Sequence, residues 1–145
     1  MSFRFPLATV LRYREELEKR EQRLLEQRRE ALALLQKELE RLRQARRQLI
    51  AERTASLQSG LLGDDLHYGE FYQQLSERYE EEIQQKITVA HAEYSYQMNV
   101  FLTARQKREI LEKVRDARKT YYVEQQTRRE QQNIDEMFSS RISKK

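Results

Sequence analysis

Few residues in this chain of 145 residues are of types that could carry chemistry. The two histidines, His67 and His91, have no second ligand at the spacing of a metal site, so surface positions are the simpler interpretation. Asp64, Asp65 and Glu70 could hold a cation, but they lack the twelve-residue alternation of a calcium-binding loop. Turn chemistry explains these three carboxylates better, and the sequence therefore predicts no metal site.

The sequence also lacks the motifs of an enzyme. Glu80, Glu81 and Glu82 are more typical of a solvated or salt-bridged helix face than of a catalytic group. A chain without cysteine has no disulfide and no thiolate chemistry, and none of its glycines precedes a phosphate-binding Gly-Lys-Ser/Thr motif. A pair of helices, which is what the pattern below predicts, offers almost no enclosed pocket. We therefore expect no catalysis and no cofactor.

Helical periodicity runs through almost the whole chain. The first predicted helix covers about residues 6–57 and begins near Pro6, because the missing N–H of proline costs nothing at a helix start. Its later apolar residues follow the 3-4-3 rhythm of a heptad seam, with Arg46 in one vacant place. These residues are Leu32, Leu35, Leu39, Leu42 and Leu49.

One interruption organises the chain, and all three glycines, Gly60, Gly63 and Gly69, fall in it. We predict a turn at residues 58–69, a second helix at about 70–138 and a frayed tail at 139–145. The predicted stripe of the second helix is rich in aromatic and β-branched residues. It contains Phe71, Leu75, Tyr79, Ile83, Ile87, Ala90, Tyr94, Met98 or Phe101, Ala104, Leu111, Val114, Ala117 and Tyr121. The predicted fold class is all-α, a long antiparallel two-helix coiled coil, with residues 1–145 as a single coiled-coil domain.

The charge pattern supports an antiparallel hairpin. Residues 1–60 carry a net charge of +5, residues 61–100 a net charge of −6, and residues 101–145 a net charge of +5. Folding back on the turn sets basic Arg43, Arg46 and Arg47 opposite Glu80–Glu82, whereas parallel pairing of two copies would stack like charges. The main alternative is a dimer in which two opened hairpins swap helices.

Aromatic and basic residues predict protein-docking surfaces. A two-helix seam cannot bury both Phe71 and Tyr72, and Tyr121 and Tyr122 fall in a second aromatic cluster, with Phe3 and Phe5, where the termini meet. Basic residues crowd the same terminal region, but glutamates are interleaved with them, unlike in the unbroken basic arm of a DNA-binding zipper. An acidic protein cavity or ring therefore fits better than nucleic acid, which stays an alternative.

Both ends of the chain resemble the flagellar export protein FliJ family. The matching residues at the start are Phe3-Arg4-Phe5-Pro6-Leu7 and Val10-Leu11-Arg12-Tyr13-Arg14-Glu15. Those at the far end are Lys107, Leu111-Glu112-Lys113-Val114, Tyr122, Arg128-Arg129-Glu130-Gln131 and Ile134-Asp135-Glu136, and the sequence departs from the family pattern at Gln125 and Gln132. Between these ends the chain resembles the family only in its general sequence pattern, and the individual residues that match there are Phe71 and Leu75, after the turn.

The resemblance implies an antiparallel coiled coil of the flagellar type III export apparatus, similar to the central stalk of rotary ATPases. It implies that the end with the termini inserts into the hexameric ring of the export ATPase FliI, through Leu7, Leu11, Tyr122, Arg128, Arg129 and Glu130. The region nearer the turn would contact the cytoplasmic domain of the export gate protein FlhA through Leu42, Leu49, Phe71 and Leu75. Export chaperones are further implied partners.

The resemblance also implies a cytoplasmic protein that is peripheral at the export gate of the inner membrane. No apolar run approaches the ~20 residues of a membrane span, and residues 3–11 are too short and too broken by Arg4 for a signal sequence. The leading hypothesis is a non-enzymatic stalk that couples the export ATPase to the gate. Its alternative is a coiled-coil chaperone or scaffold for export substrates, or a related injectisome stalk.

Overall fold

Two long helices that pack against each other make up the structure, a computed structural model. It describes residues 2–60 and 63–143, and the side chains of these residues except those of 63–68. The first helix, α1, is Ala8–Gln58 and the second, α2, is Gly63–Ser143. No strand occurs in the described ranges, so the predicted all-α fold class is confirmed.

The helix bounds differ from the predicted ones by a few residues. α1 begins at Ala8, whose N–H donates to the carbonyl of Phe5 at 3.1 Å, because residues 6 and 7 form a turn. α2 begins at Gly63, before the predicted start near residue 70, since the acidic residues that follow favour the positive end of a helix dipole. It continues to Ser143 because neither glycine nor proline occurs after Gly69.

Gly60 lies just after the end of α1. The N–H of Ser59 donates to the carbonyl of Ser56 at 3.1 Å, and the N–H of Gly60 donates to that of Leu57 at 3.4 Å. The φ angle of Gly60 is 89°, in the left-handed region that glycine reaches without steric cost. Gly60 is therefore the residue that lets the chain leave α1.

The chain divides into two compact units. The terminal unit consists of Met1–Arg20 and Phe101–Lys145, and the turn unit of Glu21–Val100. Within each unit a segment of α1 runs antiparallel to a segment of α2, as the cross-helix contacts below indicate. The single coiled-coil domain stays a prediction.

Few apolar side chains are buried. In the described residues they are Leu11 in the terminal unit and Leu25, Leu39 and Ile83 in the turn unit, and Gln97 is the one buried polar residue. Two paired helices can bury only the stripe along which they touch, because every other face looks outward. Each unit therefore has a thin core along the line where its two helix segments touch.

The predicted apolar stripe of the second helix is wrong at its beginning. Phe71, Leu75 and Tyr79 are 62%, 49% and 53% exposed. The half-buried residues there are Gln73, Ser76 and Glu80. Steps of four residues overshoot the 3.6-residue turn each time, so a run of such steps rotates away from the seam, whereas alternating steps of three and four stay on it.

Leu49 occupies a predicted seam position but is 50% exposed. Leu49 lines an open groove, and Gly69, which has no side chain, lines it too. Arg46, in contrast, is half-buried, as expected for a residue at a seam position of the heptad.

An ion-pair network joins the helices in the terminal unit. The Arg108 guanidinium donates to the carboxylate of Glu18 on α1 and, at 2.7 Å, to Glu112 one turn further along α2. Its side chain is only 20% exposed. The hydrogen bond to Glu18 raises the pKa of Arg108 above its usual range, against the effect of burial, and the hydrogen bond to Glu112 adds to it.

Polar contacts also cross the seam of the turn unit. Arg46 lies 3.2 Å from Glu80, within the predicted pairing of the basic and acidic segments. The amide of Gln97 donates to the backbone carbonyl of Glu21 at 3.1 Å and to the Glu21 carboxylate at 2.5 Å. A buried side-chain amide with backbone and carboxylate partners is satisfied only in one register, so this pair favours one alignment of the helices.

Gly60→Ala should lower the free energy of unfolding by about 1 kcal/mol, because alanine is strained at a positive φ. A Cβ at Gly60 would meet no atom within 4 Å, so backbone strain is the only cost. Gly60→Asn should lose less, since asparagine tolerates this conformation better. Urea denaturation followed by circular dichroism measures both, and an alanine variant as stable as the parent would contradict this assignment.

Arg108→Met should lower the free energy of unfolding by about 1–3 kcal/mol, because it leaves two partly buried carboxylates without their cation. The raised arginine pKa stabilises the fold at every pH below the ordinary arginine value, so the loss should be constant between about pH 6 and 9. Arg41→Met is the matched control, as Arg41 pairs with Glu38 along the exposed surface of α1. Equal losses for both variants would contradict the role of the network.

Candidate functional site

The residues that could bind a metal do not form a site in the described part of the chain. His91 is exposed, and no group of three or more potential metal ligands occurs among the described residues. The side chains of His67, Asp64 and Asp65 lie outside the described ones.

The remaining candidate carboxylates take part in structural contacts or lie on the surface. Glu70 is 3.9 Å from Arg53, and Glu80 is 3.2 Å from Arg46. The exposed ones are Glu81 and Glu82. These contacts fit the interpretation of the acidic segment as a salt-bridged helix face.

Glu38 is a titratable group with a shifted pKa. A hydrogen bond from Arg41, three residues later on α1, lowers the pKa of the Glu38 carboxyl group. The pair's contribution to stability is present above the ordinary glutamate pKa and is lost as the pH falls through the lowered value. Because both side chains lie exposed on one helix, this is a surface ion pair.

A shallow groove lies where the start of the chain meets α2 in the terminal unit. We call it the terminal groove, and its lining residues are Phe3, Arg4, Pro6, Arg118, Tyr121, Tyr122, Gln125, Gln126 and Arg129. The rings of Phe3 and Tyr122 are 5.6 Å apart at their centres and inclined by 50°. Gln126 donates to the hydroxyl of Tyr122 at 3.2 Å. These contacts hold Tyr122 half-buried, whereas Tyr121, which was predicted for the seam, is 64% exposed.

The terminal groove is positively charged. It is lined by Arg4, Arg118 and Arg129 and by no acidic side chain. No ion pair joins any of the three guanidinium groups to a carboxylate of the described residues. Arg118 instead lies over the ring of Phe5, with its guanidinium carbon 5.9 Å from the ring centre.

The six residues that the resemblance assigns to ATPase binding take different positions. Tyr122 and Arg129 line the terminal groove. Leu11 is 4% exposed and belongs to the seam, so no partner can touch it while the helices stay packed. The three others are exposed, and they are Leu7, Arg128 and Glu130.

A second groove lies in the turn unit, and we call it the turn groove. Its lining residues are Arg46, Leu49, Ile50, Glu52, Arg53, Ser56, Gly69, Tyr72, Gln73 and Ser76, around a volume of about 220 Å³. A Cβ at Gly69 would lie 3.0 Å from the side chain of Arg53, so the absence of a side chain there leaves room for Arg53.

Three of the four residues assigned to the export gate are exposed in the turn unit. Leu49 lines the turn groove, and Phe71 lies next to Tyr72, which lines it too, with ring centres 6.1 Å apart. Leu75 is 49% exposed, whereas Leu42 is half-buried. Exposed apolar side chains of α2 therefore lie beside the turn groove.

The terminal groove was only partly visible in the sequence. The sequence predicts an aromatic cluster and many basic residues in the terminal region, but it does not bring Arg4 and Arg118 together with Arg129. One signal was available, because residues 118, 121, 122, 125 and 129 recur at the three- and four-residue spacing of one helix face. The contribution of the segment before α1 could not be derived, because no period describes it.

Neither described helix contains a segment that is long and apolar enough to cross a membrane.

A family model described as the flagellar FliJ protein matches residues 3–145. No curated protein and no solved structure matches the chain. The family match covers essentially the whole sequence, and it agrees with the two packed helices. The chain therefore belongs to the flagellar FliJ protein family and is a component of the flagellar export apparatus.

Proposed function

We propose that this protein is a non-enzymatic coupling component between the export ATPase FliI and the export gate protein FlhA. The terminal unit docks into the hexameric ATPase ring, with Leu7, Tyr122, Arg128, Arg129 and Glu130 at the contact and Leu11 supporting α1 beneath it. The turn unit docks onto the cytoplasmic domain of the gate protein through Leu49, Phe71 and Leu75, with Leu42 behind them. The protein then works in the cytoplasm, peripheral to the inner membrane.

The observation that carries this proposal is the chemical difference between the two grooves. The terminal groove combines aromatic rings with three arginines that have no carboxylate partner among the described residues. In the turn groove both arginines are paired with glutamates, and its apolar lining of Leu49, Ile50 and Tyr72 lies beside exposed Phe71. Two surfaces of such different chemistry suit two different partners better than one repeated partner. Their location in separate compact units allows each partner to bind its own unit.

Coupling of this kind needs no catalytic residue in the chain itself. Binding that is stronger to one nucleotide state of the ATPase shifts the ring toward that state. Allosteric couplings are typically worth about 1–3 kcal/mol, which corresponds to changes in affinity of roughly 5- to 150-fold. Exposed arginine and tyrosine side chains are the types that most often dominate such interfaces.

The ATPase contact is tested by the rate of ATP hydrolysis of the cognate ring with saturating amounts of this chain. The parent chain should change the rate, and Arg128→Glu/Arg129→Glu should abolish most of the change, because it reverses two exposed charges at the proposed contact. Lys107→Glu/Lys113→Glu is the control, with the same charge change on exposed positions of the same unit. An unchanged rate with the parent chain, or equal effects of the two variants, would sink the ATPase contact.

The gate contact is tested by the affinity of the chain for the isolated cytoplasmic domain of FlhA. Phe71→Ser/Leu75→Ser should weaken binding by about tenfold or more, because exposed apolar anchors of this kind carry most of an interface energy. Val89→Ser/Tyr96→Ser is the control, since these residues are 59% and 71% exposed in the same unit. A chain that binds export chaperones, but neither the ATPase nor the gate, would instead be a chaperone or scaffold.

A further inference from the structure

The lining of the terminal groove indicates what kind of ligand it takes. We propose that it binds an acidic peptide segment of a protein partner, in which an aromatic or aliphatic side chain stands next to the carboxylates. This inference deepens the proposed docking of the terminal unit and rests on it for the biological source of the segment. The chemistry of the segment follows from the groove alone.

Uncompensated charge is the first argument. Some arginines elsewhere in the described residues meet carboxylates, as Arg28 meets Glu93 at 3.0 Å and Arg108 meets Glu18, whereas other exposed arginines form no ion pair there. The arginines of the terminal groove have no such partner in the described structure, although they surround one concave surface. A guanidinium presents its N–H donors as a planar fork that fits a carboxylate with two hydrogen bonds. A ligand with two or more carboxylates therefore complements this surface.

The apolar part of the groove is the second argument. The ring of Tyr121 is 64% exposed and stands beside the half-buried Tyr122, so it offers an aromatic face or edge to a ligand. Gln125 adds an amide that can donate to or accept from a peptide backbone. A purely ionic ligand would leave Tyr121 in water, whereas a side chain of Phe, Leu or Ile would cover it.

The groove is also held in shape before any ligand arrives. Tyr122 packs against Phe3 and accepts a hydrogen bond from Gln126, and Arg118 lies over Phe5. Side chains that are already ordered lose less conformational entropy when a ligand binds. An extended segment of a few residues can therefore bind here without further folding of the chain.

A single-stranded nucleic acid is the other polyanion with affinity for arginines and aromatic rings. Successive bases need successive exposed ring faces. Here Phe3 packs against Tyr122, and the ring of Phe5 faces Arg118, which leaves Tyr121 as the largely exposed ring of the groove. A short acidic peptide is therefore the better fit.

The test is fluorescence anisotropy of a labelled peptide of about 12 residues, with glutamates around a central Phe, titrated with the full-length chain near physiological salt. Saturable binding is expected. Arg4→Gln/Arg129→Gln should weaken it by about tenfold or more, because two guanidinium contacts disappear. Tyr121→Ser, and a peptide with Ser in place of Phe, should each weaken it as well. Circular dichroism confirms that each variant keeps its helices.

Lys107→Gln/Lys119→Gln is the matched control, because it removes the same charge from exposed positions outside the groove, and it should leave the affinity within about twofold. If the control and the groove variant weaken peptide binding equally, the peptide is held by non-specific charge attraction, and the proposal is overturned. Absence of saturable binding would overturn it too. Tighter, groove-dependent binding of oligo(dT) than of the peptide would assign the groove to nucleic acid instead.

This test is independent of the one for the proposed function, because the peptide assay contains no ATPase. A chain that changes the ATPase rate but ignores the peptide contradicts only the ligand assigned to the groove. A chain that binds the peptide through the groove but leaves the ATPase rate unchanged contradicts only the coupling function.

Discussion

A fold of two paired helices can bury one stripe of side chains and no more, and this constraint governs every other feature of the protein. In the described residues four apolar side chains are buried, and much of the remaining apolar surface is exposed. A larger protein hides such surface in a core, whereas this one offers it to solvent or to partners. The same geometry that makes the core thin therefore leaves exposed the apolar surface that we propose for docking.

A thin core needs other contacts to fix how the helices align. Polar residues stand at seam positions of both units: Gln97 with Glu21 and Arg46 with Glu80 in the turn unit, and Arg108 with Glu18 in the terminal unit. Leucines could slide past each other by a heptad at little cost, but a buried polar group loses its partner when the register changes. These contacts cost some stability compared with apolar packing, and they define one register in return.

The helices and the all-α fold could be predicted because long helical periods are local signals. Gly60 marks the end of α1 as a glycine can, whereas Gly63 and Gly69 of the predicted turn lie in α2. The buried stripe at the beginning of α2 could not be predicted, because the apolar residues there do not lie at the positions that face α1. The aromatic side chains there resemble core residues, yet Gln73, Ser76 and Glu80 continue the spacing that leads into Ile83. The terminal groove needed the contact of Phe3 with Tyr122, which depends on a segment without periodicity. Sequence patterns thus predicted its residue types but not their arrangement.

The central claim is that the terminal unit is the surface that meets the export ATPase. Hydrogen–deuterium exchange of the chain, with and without the assembled ATPase hexamer, tests it most directly, because exchange reports protection along the whole backbone at once. The account predicts slower exchange at the start of the chain and around residues 118–130, with residues 70–80 unchanged. Protection confined to residues 70–80, or no protection at saturating ATPase, would contradict it.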